Sequence, residues 1–254
     1  MIAITREVSA SINRCELTHV TRAPIDLERA RTQHRAYEEA LERLGCRVVR
    51  LDPAPELPDA VFVEDTAIVV DELAIVTRPG AESRRAETAS VGPVLGRYRE
   101  LRSVSAPGTI DGGDVVVCGR RVFIGKSSRT NHAGIERVRD ILAPHGYTVT
   151  AVDVHGCLHL KSAATALSPD RLLVNPAWIS GGEFRDVERL SIAQSEPNAA
   201  NILQVGDGWI YPESFPRTRE VLERNGFAPV VVDVSELAKA EGAVTCCSLI
   251  VGDS

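Results

Sequence analysis

Residues 114–154, DVVVCGRRVFIGKSSRTNHAGIERVRDILAPHGYTVTAVDV, contain the unit from which this chain is built. Two short, largely β-branched runs, 114–118 and 122–125, flank Gly119-Arg120-Arg121 and read as a hairpin. Residues 131–145 then read as a helix, closed by Gly146 where a helix C-terminal glycine belongs. Residues 148–154 supply one more strand.

The same order of elements returns along the chain. Hairpins are expected at 61–70 with 73–77, at 163–167 with 172–175, and at 202–205 with 209–211, each around Asp, Gly or Pro turn residues. Helices are expected over 27–44, 84–98, 183–194 and 216–225. The first has apolar residues at 27, 30, 37, 41 and 44, close to a 3.6 period, and stops at Gly45. Residues 47–51 and 228–234 follow as strands. The unit recurs roughly every 40 to 50 residues, the range of closed repeat arrays. Residues 1–5 and 248–251 can pair as a fifth hairpin and close a ring. On pattern alone, an α/β ring and an ordinary α/β sandwich with mixed strands both remain open. No linker or composition shift divides the chain, so residues 1–254 are read as one domain.

Composition narrows the function classes. The chain has 254 residues, 44% hydrophobic and 25% charged, the balance of a globular protein with a real core. A net charge of -6 argues against a nucleic-acid partner. No apolar stretch approaches the ~20 residues that span a bilayer, and the start MIAITRE lacks the basic and apolar parts of a signal peptide. No membrane partner is expected, and the cytoplasm is the expected location. Cys15, Cys46, Cys118, Cys157, Cys246 and Cys247 contain no C-x-x-C spacing, which favours free thiols and no structural zinc.

The hairpin starts are unusually polar. Glu64-Asp65 opens one, Asp111-Gly112-Gly113-Asp114 the next, and His159-Leu160-Lys161-Ser162 a third, while Cys246-Cys247 precedes the last strand. Around a pseudo-axis these starts would converge, placing two acids, an imidazole and a thiol together. That set suits a guanidinium: carboxylates hold the planar cation, a thiolate attacks its carbon, and a histidine handles the protons. Each piece also has a structural reading. Either cysteine can be a small buried hydrophobe, His159 lies in an apolar L-H-L run, and D-G-G-D can be only a turn. Arg84, Arg85 and Arg129 can be surface charges.

Six strings occur in order: FVEDTA (62–67), TRPGA (77–81) with SRR (83–85), DGGDV (111–115), SxRTN (127–131), HLKS (159–162) and TCCS (245–248). With them the chain resembles the dimethylarginine dimethylaminohydrolases, relatives of the arginine deiminases and amidinotransferases, over nearly its whole length. The resemblance implies the five-bladed α/β propeller of that superfamily, the pentein fold. It implies Cys246 as nucleophile, His159 as general acid/base and Asp111 as the carboxylate that positions the histidine. It further implies Asp65, helped by Glu64, as the guanidinium acid, Arg84 and Arg129 as clamps on the substrate α-carboxylate, and Asp59 near the α-ammonium. Leu17, in the loop 13–19, matches a lid residue, and Ala240 offers a backbone carbonyl. The implied reaction is hydrolysis of asymmetric dimethylarginine or monomethylarginine to citrulline and an amine through a thiouronium on Cys246. No cofactor is implied, and zinc enters only as an inhibitor held by Cys246 and His159. An arginine deiminase or another guanidino-compound hydrolase or amidinotransferase of the superfamily is the alternative, and a non-catalytic binder of arginine derivatives is a further one. The oligomeric state is not fixed by the sequence; a homodimer is compatible with it.

Overall fold

The computed structural model describes residues 1–252. Asp253 and Ser254, which the sequence reading includes in the domain, lie outside the described residues. Among those described, fifteen strands form five sheets of three strands each. The first sheet orders β15 (Leu249–Val251), β1 (Ile2–Arg6) and β2 (Arg47–Leu51). The second contains β3 (Ala67–Val69), β4 (Leu73–Val76) and β5 (Glu100–Ser103). The third contains β6 (Val115–Cys118), β7 (Arg121–Lys126) and β8 (Thr148–Asp153). The fourth contains β9 (Ala164–Ser168), β10 (Arg171–Val174) and β11 (Glu188–Ser191). The fifth contains β12 (Leu203–Val205), β13 (Gly208–Pro212) and β14 (Val230–Val232).

Every sheet repeats one pairing rule: an antiparallel hairpin, then a third strand parallel to the middle one. A parallel partner needs a crossover. Four sheets fill it with a helix: α1 (Leu27–Arg43), α2 (Thr88–Leu95), α3 (His132–Leu142) and α5 (Pro216–Arg224). Local chemistry sets their starts. Asp26 caps α1 by accepting from the Arg29 amide at 3.1 Å, and Asn131 caps α3 by accepting from the Gly134 amide at 2.8 Å. Pro216 opens α5, where its missing N–H costs nothing. Two short turns, α4 (Leu160–Ala163) and α6 (Ser235–Ala238), complete the helical elements.

The ring closes because each sheet is apolar on both faces. Ala3 packs toward the fifth sheet with Val205 and Ile210, while its neighbour Ile4 packs toward the second with Ala67 and Ala74. Ile68 and Ile75 meet Val115, Val122 and Ile124 of the third sheet. Val116 and Phe123 then meet Leu172 and Val174 of the fourth, and Leu173 meets Ile202 and Tyr211 of the fifth. Successive strand residues point to opposite faces, so one strand feeds two cores. Five such interfaces make a five-bladed α/β propeller. Each fully buried Leu, Ile or Phe contributes about 1.5–3 kcal/mol, so no single interface carries the fold.

Two expectations change. Residues 183–194 form no helix: Gly181 and Asp186 adopt positive φ, and Glu188–Ser191 pair in parallel with β10 as β11. The strand's ladder to β10 satisfies its backbone where a helix would leave the fourth sheet one strand short. Residues 84–98 are helical only in part, as a 3₁₀ segment over Glu82–Glu87 running into α2, which carries Pro93 in its interior.

The opening strands of the hairpins lie innermost: β6 beside β9, β9 beside β12, and β15 beside β3. They surround an axial channel faced by Val116, Ala166, Leu203 and Ile250. The segments leading into them gather at one end: 3₁₀ turns Val63–Thr66 and Gly112–Asp114, then α4, then residues 243–248.

Candidate active site

These lead-in segments place chemistry-bearing side chains around one narrow cleft. Cys246, His159, Asp65, Asp59, Arg84, Arg129 and Ala240 line it, with Glu16, Phe62, Leu158, Glu241 and Gly242. Residues from six separate stretches of sequence therefore meet. Cys246 is half-buried at the cleft and accepts from the Ala243 amide at 3.4 Å, whereas Cys247 is fully buried in the apolar cluster of the first and fifth sheets. Adjacent residues thus separate into an accessible thiol and a packed one.

His159 is the N-terminal residue before α4 and is buried. Its Nε2 lies 3.1 Å from Asp111 Oδ2, and its Nδ1 lies 3.9 Å from Asp65 Oδ1. Burial lowers the imidazole pKa, but Asp65, Asp111 and Asp114 outweigh it and bring the group up to about 9. Asp111 is held in turn by the Gly80 amide, which donates to Oδ1 at 2.8 Å. The Asp111-Gly112-Gly113-Asp114 turn needs both glycines. A Cβ on Gly112 would stand 2.0 Å from the Glu64 carbonyl oxygen, and one on Gly113 would stand 2.6 Å from His159 Nδ1.

Asp65 accepts from Arg84 Nη1 at 2.5 Å and from the Gly113 amide at 2.9 Å. Burial opposes its ionisation, but His159 and Arg84 hold it down at about 2. It is an anion in the cleft at any physiological pH. Burial, together with the negative Glu64 and Asp65, pushes the Cys246 thiol up to about 12. At neutral pH the cleft therefore holds a protonated thiol and an imidazolium. A bound cation would reverse the local field that holds the thiol protonated.

The two arginines differ. Arg84 is committed to protein groups: besides Asp65 it donates to both Glu87 carboxylate oxygens, at 3.1 and 2.9 Å, and to the Phe62 carbonyl at 3.2 Å. Arg129 has a buried Nη1 with no hydrogen-bond partner, 3.8 Å from Asp111 Oδ2. Its Nη2 donates to Thr18 Oγ1 at 3.4 Å. Arg129 has free donor capacity at the cleft, and Arg84 has little.

Two of the expected residues, Glu64 and Leu17, do not line the cleft. Glu64 turns to the axial channel, accepting from Lys161 Nζ at 2.6 Å and from Thr245 Oγ1 at 2.8 Å. Within the 3₁₀ turn Val63–Thr66, Glu64 and Asp65 point in different directions, Glu64 to Lys161 and Thr245 and Asp65 to Arg84 in the cleft. Leu17 packs on the apolar cluster that Cys246 borders, and the neighbouring Glu16 lines the cleft. Asp59 accepts from the Glu16 amide at 3.1 Å, and burial raises its pKa.

Asp114, absent from the sequence-derived set, organises the rest. Its buried carboxylate accepts from the Leu160 amide at 3.0 Å, Ser127 Oγ at 2.5 Å and Thr130 Oγ1 at 2.6 Å. It fixes the residue after His159 and both sides of Arg129, and burial raises it to about 6. Its only sequence signal was its place in the D-G-G-D turn. A metal-capable donor set is also present: ligand atoms of Asp65, Asp111 and His159 lie within 4.8 Å of one another.

Comparison with known proteins identifies the family. The family model for N,N dimethylarginine dimethylhydrolase, eukaryotic, matches residues 3–250. The N(G),N(G)-dimethylarginine dimethylaminohydrolase of Streptomyces coelicolor is 40% identical over 248 residues, 97% of this chain and 95% of that protein. The protein of the same name from Pseudomonas aeruginosa is 38% identical over 226 residues, 88% of this chain and 89% of that one. A crystal structure of the Pseudomonas aeruginosa enzyme, a cysteine-to-serine mutant complexed with citrulline, superposes with a TM-score of 0.92 at 36% identity, covering 97% of both chains. An amidinotransferase from Microseira wollei shares the fold with a TM-score of 0.85 at 18% identity, over 98% of this chain and 93% of that one. With a matching family model and a 40% identical relative along nearly its full length, the chain belongs to the dimethylarginine dimethylaminohydrolase family.

Proposed function

We propose that the chain hydrolyses Nω-methylated L-arginines, asymmetric dimethylarginine and monomethylarginine, to L-citrulline and dimethylamine or methylamine. The observation that carries this reading is the shared cleft of Cys246, His159 and Asp65, with Asp111 behind the imidazole. The citrulline complex of the Pseudomonas aeruginosa relative supports it.

In this reading the substrate guanidinium binds against Asp65, and its charge lowers the thiol pKa of Cys246. The thiol proton passes to solvent, since His159 is already protonated, and the thiolate attacks the guanidinium carbon, giving a neutral tetrahedral adduct. His159, protonated at neutral pH, gives its proton to the departing amine, and the C–N bond breaks to leave a thiouronium on Cys246. The neutral imidazole then takes a proton from water, whose oxygen attacks the same carbon. Collapse expels the thiolate, the remaining hydroxyl proton passes to solvent as the C=O forms, and citrulline is released. Asp111 orients the imidazole, Arg129 addresses the substrate α-carboxylate and Asp59 its ammonium, while Arg84, expected as a second clamp, is engaged by Asp65 and Glu87 and supports the site from behind. Leu17 closes the entrance, and Ala240 offers its carbonyl.

Thiolate, imidazole and water complete this cycle, so the proposal includes no cofactor. Zinc would act as an inhibitor held by Cys246 and His159, soft and borderline ligands that suit it. The whole chain is proposed to act as one catalytic domain. No described helix is long and apolar enough to cross a membrane, and a reducing cytoplasm would suit the free thiols. A substrate panel tests the reaction. Citrulline and a methylated amine should form from both methylated arginines. Citrulline and ammonia from plain arginine, with methylated arginines inert, would replace this reading by a deiminase.

A further inference from the structure

The loop over the cleft is fastened by one carboxylate. The amides of Thr18, His19 and Val20 donate to Glu241, at 2.8, 2.5 and 2.9 Å respectively. Three consecutive N–H groups converging on one anion leave the loop little freedom while they hold. Glu241 itself adopts φ of +59°, a left-handed conformation that side-chain-bearing residues rarely take. It stands on the turn that leads to the nucleophile: two residues on, the Ala243 amide donates to Cys246 Sγ. On the opposite rim, Arg129 reaches Thr18 Oγ1 at 3.4 Å, and the Glu16 amide reaches Asp59 at 3.1 Å. The loop is therefore tied on both sides, and its strongest tie is to a residue that also lines the cleft.

We propose that Glu241 is a positioning residue for substrate capture, closing residues 16–20 over the cleft through its carboxylate. The inference rests on reading this cleft as the methylarginine site. A charged acceptor serving three amides is stronger than neutral partners or water would be, so its loss favours the open loop. Substrate then escapes more readily before attack, which raises KM and leaves the chemical step alone. The backbone conformation fits the assignment: glycine would hold this turn more comfortably, so the glutamate side chain stands there at a local cost.

The test uses E241G and E241Q in the full chain. E241G removes the carboxylate while relaxing the backbone, so loss of folding does not confound it. Steady-state kinetics with dimethylarginine should show KM up about tenfold and kcat within about twofold of the parent. Hydrogen exchange in the ligand-free protein should show the amides of residues 18–20 exchanging about tenfold faster. E241Q should fall between the two, since its amide oxygen still accepts but carries no charge. An unchanged KM overturns the proposal, whatever the exchange shows, and so does a fall in kcat with KM unmoved. If the parent protein leaves dimethylarginine untouched, the activity reading fails. The exchange rates then decide the latch by themselves, and unaltered protection in E241G overturns it.

Discussion

Gly113 lies against the imidazole of His159 so closely that a Cβ on it would stand 2.6 Å from Nδ1 and 2.8 Å from Oδ1 of Asp65. The turn that carries Asp111 thus passes against both the imidazole and the Asp65 carboxylate with no room for a methyl group. Its amide meanwhile donates to Asp65 at 2.9 Å. Gly113→Ala would push both groups from their places. Overpacking of this kind costs about 1–3 kcal/mol of stability, and a displacement near 1 Å at reacting groups costs on the order of 10²-fold in rate. Kinetics of the folded G113A variant should show that loss mainly in kcat. Near-parental activity would mean the turn gives way without disturbing the imidazole.

The charge state of His159 sets a pH dependence. Its folded pKa of about 9 exceeds the ordinary 6.5, so its contribution to stability is full below about 6.5 and is lost as pH rises through about 9. The same imidazolium is the proposed acid for the departing amine. kcat/KM should therefore decline on an alkaline limb near 9, and thermal stability should weaken as pH rises through the same region. An Asp111→Asn variant, which removes one carboxylate from the imidazole, should move that limb to lower pH. A limb that stays fixed in D111N would assign it to another group.

Arg129 and Arg84 should fail in different ways. Arg129 offers an unpartnered buried Nη1, so Arg129→Ala should raise KM by roughly 10- to 100-fold, as expected for a lost carboxylate contact. Arg84 neutralises Asp65 and Glu87, whose burial exceeds nine-tenths. Arg84→Ala strands two buried carboxylates and should cost about 3–5 kcal/mol of stability. Chemical denaturation beside kinetics separates the two. Equal stability losses would show that both arginines are structural supports.

The repeat was legible because the hairpin strands, unlike the exposed third strands such as β5 and β11, are largely buried and read as short apolar runs around Gly, Asp and Pro turns. The closing pair of β1 and β15 followed from the same pattern at the two ends of the chain. The missing crossover helix of the fourth sheet was not legible. Residues 183–194 carry mixed polar and apolar residues that satisfy a helical period, and what decides for β11 is an open ladder on β10, a tertiary fact. The site residues were legible as motifs, but their partners were not. That Arg84 is spent on Glu87, that Glu64 faces the channel toward Lys161, and that Asp114 ties Leu160 to Ser127 and Thr130 depend on side chains far apart in sequence. Sequence also left Cys246 and Cys247 side by side, and only packing distinguishes the accessible thiol from the enclosed one.

The most direct measurement is mass spectrometry of protein quenched in acid during turnover of dimethylarginine, with the modified thiol located by peptide sequencing. The account requires an amidino adduct on the sulfur of Cys246, absent from Cys246→Ser protein, which should still bind substrate. An adduct on Cys247, or citrulline formation by Cys246→Ser protein, would contradict it.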